Sequence, residues 1–210
     1  MKHAKAEVIR EYGPFPDADH IAGVTFDGSR IWFATGEKLN ALDAESGEIV
    51  QSIDVAADAG TAFDGKYLFQ IGDGMIRKID PWTGQVIATI PAPGEGGDSG
   101  LAWAEGSLWV GQHRGRRIHQ VDPESGKVLR TIESDRFVTG VTWIDGELWH
   151  GTWEGDESDL RRIDPQTGEV LERLDMPDGT HVSGLEGDGG ERFFCGGGNS
   201  GMVRAVRRPK

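Results

Sequence analysis

Asp122-Pro123-Glu124-Ser125-Gly126-Lys127-Val128-Leu129-Arg130-Thr131-Ile132 reads as a tight turn feeding a β-strand, and the chain repeats it. The other copies are Asp43-Ala44-Glu45-Ser46-Gly47-Glu48-Ile49-Val50-Gln51-Ser52-Ile53, Asp80-Pro81-Trp82-Thr83-Gly84-Gln85-Val86-Ile87-Ala88-Thr89-Ile90 and Asp164-Pro165-Gln166-Thr167-Gly168-Glu169-Val170-Leu171-Glu172-Arg173-Leu174. Proline presets a negative φ inside the turn, and the closing glycine supplies the positive φ of a bulged hairpin. The turn glycines fall at 47, 84, 126 and 168, giving steps of 37, 42 and 42.

Working outward, two further strands precede each turn strand pair. The first begins near Gly23, Gly60, Gly100, Gly140 and Gly184, with an aromatic three residues later at Phe26, Phe63, Trp103 and Trp143. The second carries an aromatic at Trp32, Phe69, Trp109, Trp149 and Phe194. A third follows, as in Leu39 to Leu42, Ile76 to Ile79 and Ile118 to Val121. Four strands per unit, a period near 40 residues and no helical periodicity specify an all-β, five-bladed β-propeller. The last blade has three strands, and Glu7-Val8-Ile9-Arg10-Glu11-Tyr12 is a close copy of the missing one. The N-terminal strand is therefore expected to complete that blade and close the ring, removing the open edge. One domain results, with blades at 20–54, 57–92, 97–133, 137–175 and 180–208 plus 6–12.

The composition limits the partners. Lys plus Arg is 22 against 35 Asp plus Glu, a net charge of -13, which argues against nucleic acid and anionic membranes. No run of apolar residues is long enough for a membrane span. Cys195 is the only cysteine, so no intrachain disulfide forms. The segment Met1-Lys2-His3-Ala4-Lys5-Ala6-Glu7 has no apolar run behind it, so the expected location is cytoplasmic.

Two blades carry a family likeness. Gly60-Thr61-Ala62-Phe63-Asp64-Gly65-Lys66-Tyr67-Leu68, Gly72-Asp73-Gly74 and Ile79-Asp80-Pro81 form one stretch; Trp143-Ile144-Asp145-Gly146-Glu147-Leu148-Trp149 and Thr152-Trp153 form the other. Both resemble the plant and bacterial glutamine cyclotransferases, which are five-bladed propellers. The resemblance implies that shared fold. Departures bear on activity: where the family reads F-T-Q-G-L and E-S-T-G, this chain has Ile21-Ala22-Gly23-Val24 and Phe33-Ala34-Thr35-Gly36. The family's N-E-L-E is Thr139-Gly140-Val141-Thr142. Cyclising an N-terminal glutamine needs a proton carrier between the amine and the leaving ammonia. The family's carboxylates for that task are missing at these places. The repeat also resembles that of streptogramin lyases, seven-bladed propellers that use histidine, glutamate and a metal.

In a propeller the loops before strand one and after strand two share a face, and loops carry function. That face collects His20, Asp58, Asp98 and His181 from before the first strands, with Gln112, His113, Arg114 and Trp153 from returning strands. His20, His181, Asp58 and Asp98 are of types that hold zinc or manganese, so a divalent metal is one expectation, with His20 or His181 as ligand or base. His20 and His181 stand three residues before their blade glycine, Asp58 and Asp98 two before, so the pairs need not point alike. Asp58, Asp98, Gln112, His113 and Trp153 are candidate ligand-binding residues. His150 and Cys195 occupy equivalent positions in adjacent blades, where a Cys/His pair would make a thiolate and a buried thiol only packing. The function expected is small-molecule binding at the channel mouth, with metal-assisted lyase or hydrolase chemistry as one form of it. The alternative is a non-catalytic protein-interaction scaffold; glutaminyl cyclotransferase activity ranks third.

Overall fold

A computed structural model describes every residue from Met1 to Lys210. The chain opens with β1 (Lys2–Lys5) and β2 (Val8–Tyr12), then makes blade one from β3 (Val24–Phe26), β4 (Arg30–Ala34), β5 (Gly36–Asp43) and β6 (Ile49–Ala57). Blade two is β7 (Thr61–Phe63), β8 (Leu68–Gly72), β9 (Met75–Ile79) and β10 (Val86–Pro91). Blade three is β11 (Asp98–Ala104), β12 (Ser107–Gln112), β13 (Arg117–Val121) and β14 (Val128–Glu133). Blade four follows as β15 (Val138–Ile144), β16 (Glu147–Glu154), β17 (Glu157–Ile163) and β18 (Val170–Asp175). Blade five is β19 (Gly184–Gly187), β20 (Arg192–Gly196) and β21 (Val203–Arg207), and β2 pairs antiparallel with β21 to complete it. The architecture is an all-β, five-bladed β-propeller. No helix of the chain is long and apolar enough to cross a membrane.

The turn chemistry works as the repeat implies. Gly47, Gly84, Gly126 and Gly168 have φ between 72° and 78°, where only glycine sits without strain. Each opening aspartate caps its turn: Asp43 accepts from the Ser46 N–H, Asp80 from Trp82, Asp122 from Ser125 and Asp164 from Gln166. These bonds hold all four carboxyls below the usual aspartate range. Just past the turn, every blade shows a bulge between its third and fourth strands.

Packing proves the ring. The buried apolar residues fall into five clusters, and each spans one seam between adjacent blades. Three seams show an aromatic of one blade's second strand against that of the next blade's first: Phe69 on Trp103, Trp109 on Trp143, and Phe194 on Phe26 across the closing seam. Blade five lacks the first-strand aromatic, where Gly187 stands, and Phe193 packs on Trp149 instead. Such ring pairs contribute about 1 kcal/mol each beyond burial.

Around the axis the five column glycines touch in sequence. A Cβ on Gly23 would lie 2.4 Å from the Ala59 oxygen, on Gly60 2.4 Å from the Leu101 nitrogen, and on Gly100 2.5 Å from the Thr139 oxygen. On Gly140 it would lie 2.2 Å from the Leu185 nitrogen, and on Gly184 2.6 Å from the Ala22 oxygen, which returns to blade one. This glycine ring is the waist of the channel.

Two outer features complete the picture. Arg10 donates to the Ala44 and Glu45 carbonyls and Tyr12 to Ala44, fastening β2 to blade one. Gln51 and Arg130, at the matching place in other blades, latch onto the Pro81 and Pro165 carbonyls of the next turn. The second feature was not expected from the sequence: β1 adds in parallel to β18, so blade four has five strands. His3 Nε2 lies 2.6 Å from Asp175 Oδ2 at this edge.

Candidate functional site

The residue before each column glycine faces the upper channel. Ala22, Ala59, Ser99, Thr139 and Ser183 all line one cavity of about 210 Å³ on the axis, as its floor. Around them stand His20, Asp58, Asp98, His113 and Trp153. Five of the residues expected from sequence are thus gathered at the channel mouth. Gln112 lies just outside, in a neighbouring cavity of about 450 Å³ that shares Asp98 and His113 as its wall. His181 sits behind Trp153, its ring stacked at 4.4 Å.

Each side chain has a defined setting. His20 is exposed, and its Nδ1 lies 2.8 Å from Asn199 Oδ1, leaving Nε2 without a protein partner. The Trp153 ring is braced between His181 and Gly198, where a Cβ would come within 2.9 Å of the indole. Its Nε1 donates to the Gly155 carbonyl. Asp58 is exposed, and its Oδ2 accepts from the Asp73 N–H. Asp98 is 9% exposed; its Oδ2 accepts from the Gly94 N–H at 3.0 Å, while Oδ1, beside the Gln112 amide, makes no well-formed hydrogen bond. Burial pushes the Asp98 carboxyl above the usual aspartate range, and the Gly94 N–H and the Gln112 amide alongside pull it partly back.

The floor hydroxyls are not poised as nucleophiles. Ser99 donates to the Val138 carbonyl of the next blade and Ser183 to that of Ile21. Neither has histidine as a hydrogen-bond partner, which an activated serine needs.

Three of the four candidate metal ligands, His20, Asp58 and Asp98, line the same cavity, while His181 stands behind Trp153. No group of three or more His, Cys, Asp and Glu side chains is arranged to hold a metal ion. His20 is turned to Asn199, Asp58 to the Asp73 backbone, Asp98 to the Gly94 backbone, and His181 lies under Trp153 with its Nε2 buried and unpartnered. Cys195 and His150 are core residues. Burial pushes the Cys195 thiol up to about 12 and the His150 imidazole down to about 4. A thiol with that pKa supplies no thiolate at neutral pH, so the nucleophile reading is set aside. Phe33, at the family's acidic position, is fully buried and stacked on Phe15 at 4.7 Å.

Below the waist the chain holds a carboxyl that sequence reasoning missed. Two residues after the column glycines come Thr25, Ala62, Ala102, Thr142 and Glu186. Glu186 Oε1 accepts from the Thr142 hydroxyl at 2.6 Å and the Gly187 N–H at 2.9 Å; Oε2 accepts from the Thr25 hydroxyl at 2.8 Å. Enclosure lifts its pKa from 4.5 to about 7, against the pull of those three donors. The floor residues were also missed, because alanine, serine and threonine carry no chemical signal of their own. Their signal is positional, one place before each glycine of the repeat.

A further depression lies at the foot of blades four and five, between Arg162, Arg208, Lys210, Glu147, Glu172 and Glu191. Its charges satisfy one another: Arg162 meets Glu147 and Glu172 at 3.3 Å, Arg208 meets Glu147 at 3.0 Å, and Lys210 meets Glu191 at 2.9 Å. Lys2, on the same wall, is the one charge there without an ion pair.

Among solved structures, the chain is similar to glutaminyl cyclase of Myxococcus xanthus, with a TM-score of 0.80 and 21% identity over 98% of this chain and 97% of that one. It is also similar to a chain of the mitotic checkpoint complex, with a TM-score of 0.56 and 14% identity over 90% of this chain and 75% of that one. No family model matches the sequence, and no curated protein matches it. The fold is that of the glutamine cyclotransferase-like five-bladed propellers.

Proposed function

We propose that the channel mouth binds a small molecule bearing a primary amine, with His20 and Asp98 able to move its protons. The observation that carries this reading is Asp98: a buried carboxyl in the cavity wall with one oxygen unfilled. An orphaned acceptor costs about 1–3 kcal/mol, and an ammonium donor relieves that cost. Asp58 adds a second negative group on the same rim, and the braced Trp153 ring offers a face on which a cation is held by its quadrupole. His20, oriented through Nδ1 by Asn199, presents Nε2 as a base. The fold neighbour is a glutaminyl cyclase, whose reaction also begins with an amine, and this supports the ligand class. Zinc or manganese at His20, His181, Asp58 and Asp98 is not part of the proposal, which rests on the Asp98 carboxyl.

Calorimetric titration with small amines beside their N-acetyl forms tests the reading. Free amines are expected to bind and acetylated ones to fail, with Asp58→Asn and Asp98→Asn each weakening binding about tenfold. Ammonia release from a peptide beginning with glutamine, and metal content of the untagged protein, are measured in the same series. Equal binding of amine and amide would overturn the proposal. In that case the exposed apolar band of Ile49, Val50, Trp82, Val86 and Ile87 would favour the protein scaffold.

A further inference from the structure

Beside the channel mouth, across Asp98 and His113, lies the second, larger cavity, and its walls differ in kind. Gly94, Gly96, Gly97 and Asp98 form them together with residues 112–115, with no hydrophobic side chain among the lining. Arg114 stands in this wall, exposed. Every other arginine in the chain is tied to a carboxylate or carbonyl: Arg116 and Arg136 to Glu154, Arg117 to Glu133, Arg161 to Asp159 and Asp135, Arg10 to backbone oxygens. The same holds for those at 30, 77, 130, 162, 173, 192, 204, 207 and 208. Arg114 alone has no ion pair, hydrogen bond or aromatic face.

That is unexpected in a chain with a net charge of -13, where a free guanidinium has carboxylates in excess on all sides. Three residues of the cavity wall, Gly96, Arg114 and Gly115, also leave their backbone N–H groups without an acceptor in the chain. A planar fork beside free backbone donors is the chemistry that receives a carboxylate. Glu95, between Gly94 and Gly96, does not line the cavity.

We propose that this cavity is the anion subsite of the channel-mouth ligand, which is a small zwitterion. Its ammonium meets Asp58 and Asp98, and its carboxylate meets Arg114. The inference rests on the amine reading of the mouth and adds a second, separately testable requirement. Asp98 and His113 border both cavities, which sets the two subsites side by side.

The test uses the twenty common L-amino acids, each beside its own carboxamide, which keeps the amine and removes the anion. Binding is read by thermal shift and calorimetry on wild type, Arg114→Gln and Asp58→Asn. At least one free amino acid is expected to bind the wild type about tenfold tighter than its amide. Arg114→Gln is expected to bring the pair level while leaving the amide's affinity and the melting temperature unchanged. An acid and amide that bind the wild type equally would overturn the anion subsite and leave the amine reading standing. An N-acetyl amino acid that binds as well as the free one, yet loses affinity in Arg114→Gln, would sink the amine reading and retain the anion. Failure of the whole panel to bind would remove both.

Discussion

Two carboxyls lie on opposite sides of the glycine waist, Asp98 buried and Glu186 half-buried, and they differ in what surrounds them. Asp98, above, has one oxygen bonded and one empty beside a cavity. Glu186, below, has both oxygens filled by donors from three blades, and neither main cavity reaches it. Burial raises the pKa of both. A shifted pKa therefore does not separate a binding group from a structural one here; the unfilled acceptor does. Glu186 is a tie joining blades one, four and five, while Asp98 is a group waiting for a donor.

The comparison can be broken first at the waist that divides the two halves. Gly140→Ala places a methyl 2.2 Å from the Leu185 nitrogen, where backbone cannot yield. Overpacking of this kind costs about 3 kcal/mol, and calorimetry is expected to show a melting point lower by roughly 6 °C or more. An unchanged melting point would mean that the glycine ring is not the waist.

The next effect is electrostatic. Between pH 4.5 and about 7, folded Glu186 keeps a proton that the unfolded chain has lost. Stability from this group is therefore full below pH 4.5, falls as pH rises through that window, and is flat above it. The shift corresponds to about 3 kcal/mol. Glu186→Gln is expected to flatten this fall in denaturant titrations from pH 5 to 8, with amine binding untouched. Parallel pH profiles for both proteins would refute the tie.

The smallest effect on stability, and the largest on binding, belongs to Asp98→Asn. Relief of the orphaned oxygen is expected to stabilise the protein by about 1 kcal/mol at neutral pH, while amine binding weakens about tenfold. A destabilised variant would mean that the carboxylate is structural, as Glu186 is.

The fold was legible because each turn is local chemistry: an aspartate that caps, a proline that presets φ, a glycine that takes the positive angle. Five clusters at five seams follow from aromatic columns that are visible as spacing alone. What stayed hidden lacks such local marks. Lys2-His3-Ala4-Lys5 has no large apolar residue and no run of alternation, and it becomes a strand because the edge of β18 lies open beside it. The candidate mouth residues were nameable, since propeller loops converge, but their directions were not. His181, named among the residues of that face, has its ring stacked on Trp153. Glu186 escaped because Gly187, beside it, breaks the aromatic column and makes the fifth copy look degenerate.

The closing strand also sets a timetable. Arg204 Nε meets Glu11 Oε1 at 2.8 Å across 193 positions of sequence, so the last blade cannot be sealed until its most distant partner exists. During synthesis β2 emerges early and waits, while four blades can collapse behind it from local hairpins. Sealing is then the step with the greatest loop to close, and the open ring exposes the Phe194–Val203 seam until it happens. A ring latched by its earliest strand is one whose folding is finished only at the end, and whose unfinished form is the one most exposed to aggregation.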